Sequence, residues 1–198
     1  MDKTIQIPSP YQFLSETAQK RTFIALLLLT LILMISLQLL DSPLKNKIAP
    51  LGIVSFEFAG DLNNAKAIID SWGGKGLIYA GLNTGLDYLF IFAYSSTIAL
   101  GCLLVTQMIA QKLSKQSTIF YQILYQIGIV LAWGQFIAAI SDSVENYALI
   151  QLLLGATQKI YPKAALYCAI PKFIIVALGI SYFFVVGILI RFKESNQN

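Results

Sequence analysis

The chain has 198 residues, 57% of them hydrophobic and 12% charged, with a mean hydropathy of +0.68. A soluble domain carries about 25% charged residues, so this chain lacks the polar surface to dissolve as a monomer and reads as one integral membrane domain, 1–198. Its 14 basic residues, net charge +4, are scattered rather than clustered, which excludes nucleic acid as a partner, and the absence of histidine removes the commonest metal ligand and the usual general base.

Residues 1–21 are polar, broken by Pro8 and Pro10, and end on Lys20-Arg21; they read as a short cytoplasmic tail. The uncharged run 22–40, "TFIALLLLTLILMISLQLL", nearly spans a hydrocarbon core about 30 Å thick and is followed by no small-residue cleavage site. It is the first span, retained.

Residues 41–76 connect the first two spans. Within them, "DLNNAKAIIDSW" repeats apolar residues at Ala65, Ile68, Ile69 and Trp72, one face of a helix. Asp61 or an Asn can cap its start and Gly73 can close its end. The expectation is a short amphipathic helix at the membrane interface, with Trp72 at headgroup level and an interfacial segment over 48–73. The preceding "LGIVSFEFAG" is too apolar for a free loop and should pack on the bundle.

Three further spans follow at about 84–108, 119–141 and 166–190, the last interrupted by Pro171-Lys172, with polar turns at 111–118 and 156–163 and a polar tail "RFKESNQN". The fold class is therefore all-α, a four-helix transmembrane bundle with a short amphipathic interfacial helix in the first extracytoplasmic segment. An even number of spans puts both termini on one side. With the termini inside, that side holds Lys3, Lys20, Arg21, Lys112, Lys115, Arg191 and Lys193, and the other holds Lys45, Lys47, Lys66, Lys75, Lys159 and Lys163. The totals hardly differ. The first span decides, because Lys20-Arg21 precede it and Asp41 follows it.

In this topology Asp87 lies toward the outer end of the second span, Asp142 and Glu145 toward the outer end of the third, and Lys172 in the outer third of the fourth. Glu57 belongs to the outer connecting segment. All five converge at similar depth, whichever compartment is outside. Gln135, Asp142, Glu145 and Asn146 share one helical face, as do Asn83, Asp87 and Tyr94. Taken as single helices, 77–110 and 119–155 exceed the membrane thickness, so either they protrude, with the acids at headgroup level, or they tilt and kink, with the acids in a polar cavity; 51–72 is the obvious cover for a protrusion.

The candidate ligand-binding cluster is thus Glu57, Asp87, Asp142, Glu145, Asn146 and Lys172. The plain structural alternative is that Lys172 pairs with one acid and ties helices together. Four acids against one lysine exceed that need, so some must be protonated, face water or hold a cation. Oxygen ligands without His or thiolate would suit Mg or Ca, but D-x-x-E matches no dedicated metal loop, and neither a metal nor another cofactor is expected. No Ser or Cys has an evident base, and the glycines at 73, 74 and 76 lack the strand–helix context of a phosphate loop. Tyr88, Tyr94, Tyr121, Tyr125 and Trp133 are cavity or packing residues. Cys102 and Cys168 are expected as buried free thiols.

"LGIVSFEFAG", "LDYLFIFAYS" and "DSVEN" with the following "LIQLLLG" resemble a group of bacterial four-span membrane proteins of no assigned activity. The similarity covers most of the chain and implies a four-span fold in the bacterial inner membrane, and no activity. Two functions remain open. One is a binding or accessory protein with an acidic pocket near the extracytoplasmic face, for a lipid, a small cation or a partner subunit. The other is an intramembrane lipid-modifying enzyme using Asp142 or Glu145 as acid/base with Asp87 as partner. The partners expected are membrane lipids and a membrane protein partner or a second copy of the chain. Proton-coupled transport fits less well, with four spans and no inverted repeat.

Overall fold

The computed structural model describes residues 8–115 and 118–195. Lys3 and the last three residues of the polar tail lie outside them, as do Gln116 and Ser117 of the turn expected at 111–118. The regular structure of the described residues is all helical: α1 (Glu16–Asp41), α2 (Ile53–Glu57), α3 (Leu62–Lys115), α4 (Ile119–Leu153), α5 (Ile160–Ser181) and α6 (Gly187–Ser195). A π-helical turn, Tyr182–Val186, joins α5 to α6. Four helical stretches are long and apolar enough to cross a membrane: Glu16–Leu44, Leu62–Ser114, Ile119–Leu153 and Ile160–Arg191. The fold is that of a four-helix membrane bundle.

The most apolar window of α3 is 72% buried, against 6% for α1. So α3 is the central helix, packed by α1 on one side and by α4 and α5 on another, while α1 turns most of its surface to lipid. With little apolar driving force between helices in lipid, polar contacts fasten α1 at three levels. Gln107 Nε2 donates to Gln19 Oε1 at 2.7 Å, Thr30 and Thr97 hydroxyls meet at 3.1 Å, and Asn83 Nδ2 donates to the Leu37 carbonyl at 3.1 Å.

The expected amphipathic helix is the first arm of α3. Asp61 Oδ1 accepts from the amides of Asn63 and Asn64, and Gly73, at φ 59° and ψ −176°, ends the arm and starts the transmembrane one. Few residues other than glycine adopt that conformation. The arm's apolar face meets protein: Ala65, Ile68 and Trp72 join Leu44, Phe56, Ala148, Leu149 and Ala165 in one core. Trp72 therefore faces protein rather than lipid. Its Nε1 donates to the Leu44 carbonyl at 2.8 Å and its ring meets Phe56 edge-on at 5.3 Å, so the indole N–H is satisfied while buried. This core is a cap over one end of the bundle, closed by α2.

Two more sequence expectations are revised. Pro171 does not interrupt the fourth span, since α5 runs through it; the proline is exposed, and only the Tyr167 carbonyl four residues back loses its helical donor. The irregularity comes later, in the π-helical turn. There Tyr182 Oη donates to the Leu124 carbonyl at 3.0 Å and approaches Thr106 Oγ1 at 3.4 Å. Gly128 makes room for this, because a Cβ on it would collide with Thr106 and Tyr182. The polar turn expected at 111–118 is also shorter, because α3 continues to Lys115.

A buried acid–lysine cluster beneath the cap

At 35 residues α4 is about 52 Å long, well over the hydrocarbon thickness. It runs unbroken, and its last turns carry Ala148, Leu149 and Leu152 into the cap core. The cover expected over a protruding end is present. The acids lie just below that cover, on the face of α4 that looks at α3 and α5.

Lys172 of α5 is the hub. Its Nζ donates to Asp142 Oδ1 at 3.0 Å and to Glu145 Oε1 at 2.9 Å, with Glu145 Oε2 at 2.8 Å. Glu57, at the end of α2, contributes Oε2 at 3.6 Å. The ammonium also sits over the Phe173 ring, 4.6 Å from its centroid. The i, i+3 spacing of Asp142 and Glu145 aims both carboxylates at the same point on the neighbouring helix. Glu145 is fully buried, Asp142 is 3% exposed and Lys172 6%, so the ion pairs are nearly free of solvent screening.

The remaining predicted members form a second layer. Asp142 Oδ2 accepts from Tyr94 Oη at 2.8 Å, which anchors the cluster to α3. Asp87 enters through Asn146, whose Nδ2 donates to Asp87 Oδ2 at 2.6 Å. Asp87 is half-buried, and beside it Tyr88, 40% exposed, reaches the Ser143 carbonyl at 3.4 Å. All six candidates are thus brought together, four in direct contact and Asp87 by way of Asn146.

Two residues assigned to the same faces do other work. Asn83 ties α3 to α1, and Gln135, fully buried, donates through Nε2 to the Ile175 carbonyl at 3.2 Å. Of the aromatics, Tyr121 belongs to the bundle core and Trp133 donates to the Pro8 carbonyl at 2.8 Å; Tyr125 lines a groove well away from the acids. Sequence reasoning left Tyr94 and Phe173 out of the site. Tyr94 carried a usable signal, its position two turns after Asp87; Phe173 carried none. Cys102 is buried and free, while Cys168 is free but only half-buried.

Three carboxylates on one ammonium leave two negative charges uncompensated if all are ionised, and Asp87 adds a third. Isolated buried charge costs several kcal/mol per ion, so the cluster calls for protons or another cation. Burial lifts the Glu57 carboxyl above its ordinary 4.5, and the Lys172 charge pulls part of that rise back. Glu57 Oε2 has no hydrogen-bond partner among the described residues. The Lys172 ammonium stands where the carboxylates converge, and the described residues contain no group of three or more Asp, Glu, His or Cys arranged to hold a metal. No protein-family model, curated protein or solved structure matches this chain.

Proposed function

We propose that the protein is a binding or accessory protein of the bacterial inner membrane, with cytoplasmic termini, whose acid–lysine cluster takes up a small cation from the capped extracytoplasmic face. The observation that carries this reading is the surplus of buried carboxylate: Glu57, Asp142 and Glu145 meet one ammonium, and Glu57 comes from the cap itself. The cation that needs least room is a proton, taken up by Glu57 or Glu145, which both stand on the Lys172 ammonium. Binding at the cluster would then be coupled to the seating of α2. Lys20-Arg21 ahead of the first span support the orientation.

Infrared difference spectroscopy of the protein in lipid nanodiscs tests this. A protonated carboxyl band at neutral pH is expected, lost in Glu145→Gln or Glu57→Gln. A wild-type protein without that band overturns the proposal. Native mass spectrometry supplies the competing outcomes: a stoichiometric lipid lost in Asp142→Asn would make the ligand a lipid, and a retained second subunit would make the site an assembly contact.

The enzyme reading draws on one observation, the chain Tyr94–Asp142–Lys172–Glu145, which pre-orients an acid/base pair. On that reading Glu145→Gln leaves the fold intact and abolishes conversion of a lipid substrate. Asp87, bonded to Asn146, would then act at the rim of the site.

A further inference from the structure

At the opposite end of the bundle from the cap, a groove of about 480 Å³ opens between α1, α3 and α6. Its floor is apolar, built from Phe23 and Ile24 of α1 and Leu104 and Met108 of α3. Its rim is polar and carries two cations from different spans, Lys20 at the start of the first and Arg191 at the end of the fourth. Both are exposed, and neither has an ion-pair or hydrogen-bond partner among the described residues. Glu16 is the one acid on the rim, and the side-chain amide of Gln111 adds a neutral donor.

From this arrangement we infer that the groove is a binding site for an anionic phospholipid of the leaflet at that face. The phosphate sits between Lys20 and Arg191, and an acyl chain lies along Phe23, Leu104 and Met108. The volume is that of a small-molecule site. Arg191 offers a planar fork to two phosphate oxygens, and Lys20 a point charge. The apolar floor leading from a doubly cationic rim selects an amphiphile over a free anion. An arginine and a lysine held by different helices also make the lipid a clasp, joining α1 to α6 where the described residues give no direct side-chain bond between them. Glu16 opposes the anion, so the site has one net positive charge. The site is independent of the acid–lysine cluster.

Native mass spectrometry of the full chain released from nanodiscs of equal phosphatidylglycerol and phosphatidylcholine is the test. Wild type should retain phosphatidylglycerol in about fivefold excess, the effect of about one net surface cation. Lys20→Gln with Arg191→Gln leaves Glu16 alone on the rim and should bring the ratio to one or below, and Glu16→Gln should raise it above wild type. Because all three side chains are exposed, thermal unfolding in zwitterionic detergent should be the same for every variant. Equal retention of the two lipids by wild type overturns the assignment. So does an excess that survives the double substitution, and so does inorganic phosphate displacing the bound lipid.

Discussion

The two ends of the bundle are held by different chemistry. Toward the cap, three carboxylates from α2 and α4 meet at Lys172 of α5, with Tyr94 joining them from α3. Toward the other end three neutral contacts tie the helices: Tyr182 on the Leu124 carbonyl, Gln107 on Gln19, Thr30 on Thr97. Neutral pairs of this kind hold transmembrane helices together for about 0.6 kcal/mol each, without bringing charge into a low-dielectric interior. Helix attachment is therefore achievable with neutral groups, as α1 on α3 and Tyr182 on α4 show. A cluster with more acids than its own lysine can neutralise is more than helix attachment requires.

The largest expected effect follows from removing the hub. Lys172→Met should cost about 3–5 kcal/mol in denaturant unfolding, because it leaves carboxylates buried without a counter-charge. Lys172→Met combined with Glu145→Gln should recover part of that loss. If Lys172→Met alone cost no more than a neutral-end substitution, the contrast between the ends would collapse.

Next is the joint of the cap. Gly73 has nothing within 4 Å of where a Cβ would stand, so Gly73→Ala isolates backbone strain and should cost about 1–3 kcal/mol. Hydrogen exchange in 62–72 should report it before the transmembrane arm does. A double-mutant cycle of Asp142→Asn with Lys172→Met should give a coupling of about 0.5–3 kcal/mol, whereas Asp142→Asn with Asn83→Ala should be additive. Asn83 was grouped with the acids by periodicity, but it binds Leu37, so coupling between those two would contradict the geometry. At the neutral end, Tyr182→Phe should lose only about 0.6 kcal/mol.

The smallest effect is a pH dependence confined to the cap. Glu57 is raised above 4.5 when α2 is seated, so the seated state binds the proton more tightly than the open one. Seating is strongest with Glu57 protonated and weakens as pH rises from 4.5 through the raised value. Protection factors of the α2 amides, corrected for intrinsic exchange, should fall over that window in wild type and stay flat in Glu57→Gln. The opposite slope would mean that pairing with Lys172 outweighs burial.

Much of this was legible in the residues. Uncharged runs located the spans, and charges that cost energy in an apolar run pointed to the site, because only a partner on another helix can offset them. The 3.6-residue period of Ala65, Ile68 and Trp72 found the cap helix but not what its face meets, since lipid and protein interiors look alike to an apolar side chain. Asn83 and Gln135 went astray for a related reason: a polar residue on the inner face satisfies itself with whichever carbonyl lies opposite. Pro171 misled because a helix packed among others tolerates the one hydrogen bond it loses.

Lys172 also has a consequence for how the chain is made. It follows Glu145 by 27 residues and resides on the fourth span, so Asp142 and Glu145 reach the membrane before their counter-ion does. During synthesis the α3–α4 hairpin must hold these acids near the aqueous face or protonated, and it gains its full hold on the bilayer only when α5 arrives. A nascent chain halted before Ile160 would expose an unpaired acidic pair, a signature that membrane quality control can read as unfinished.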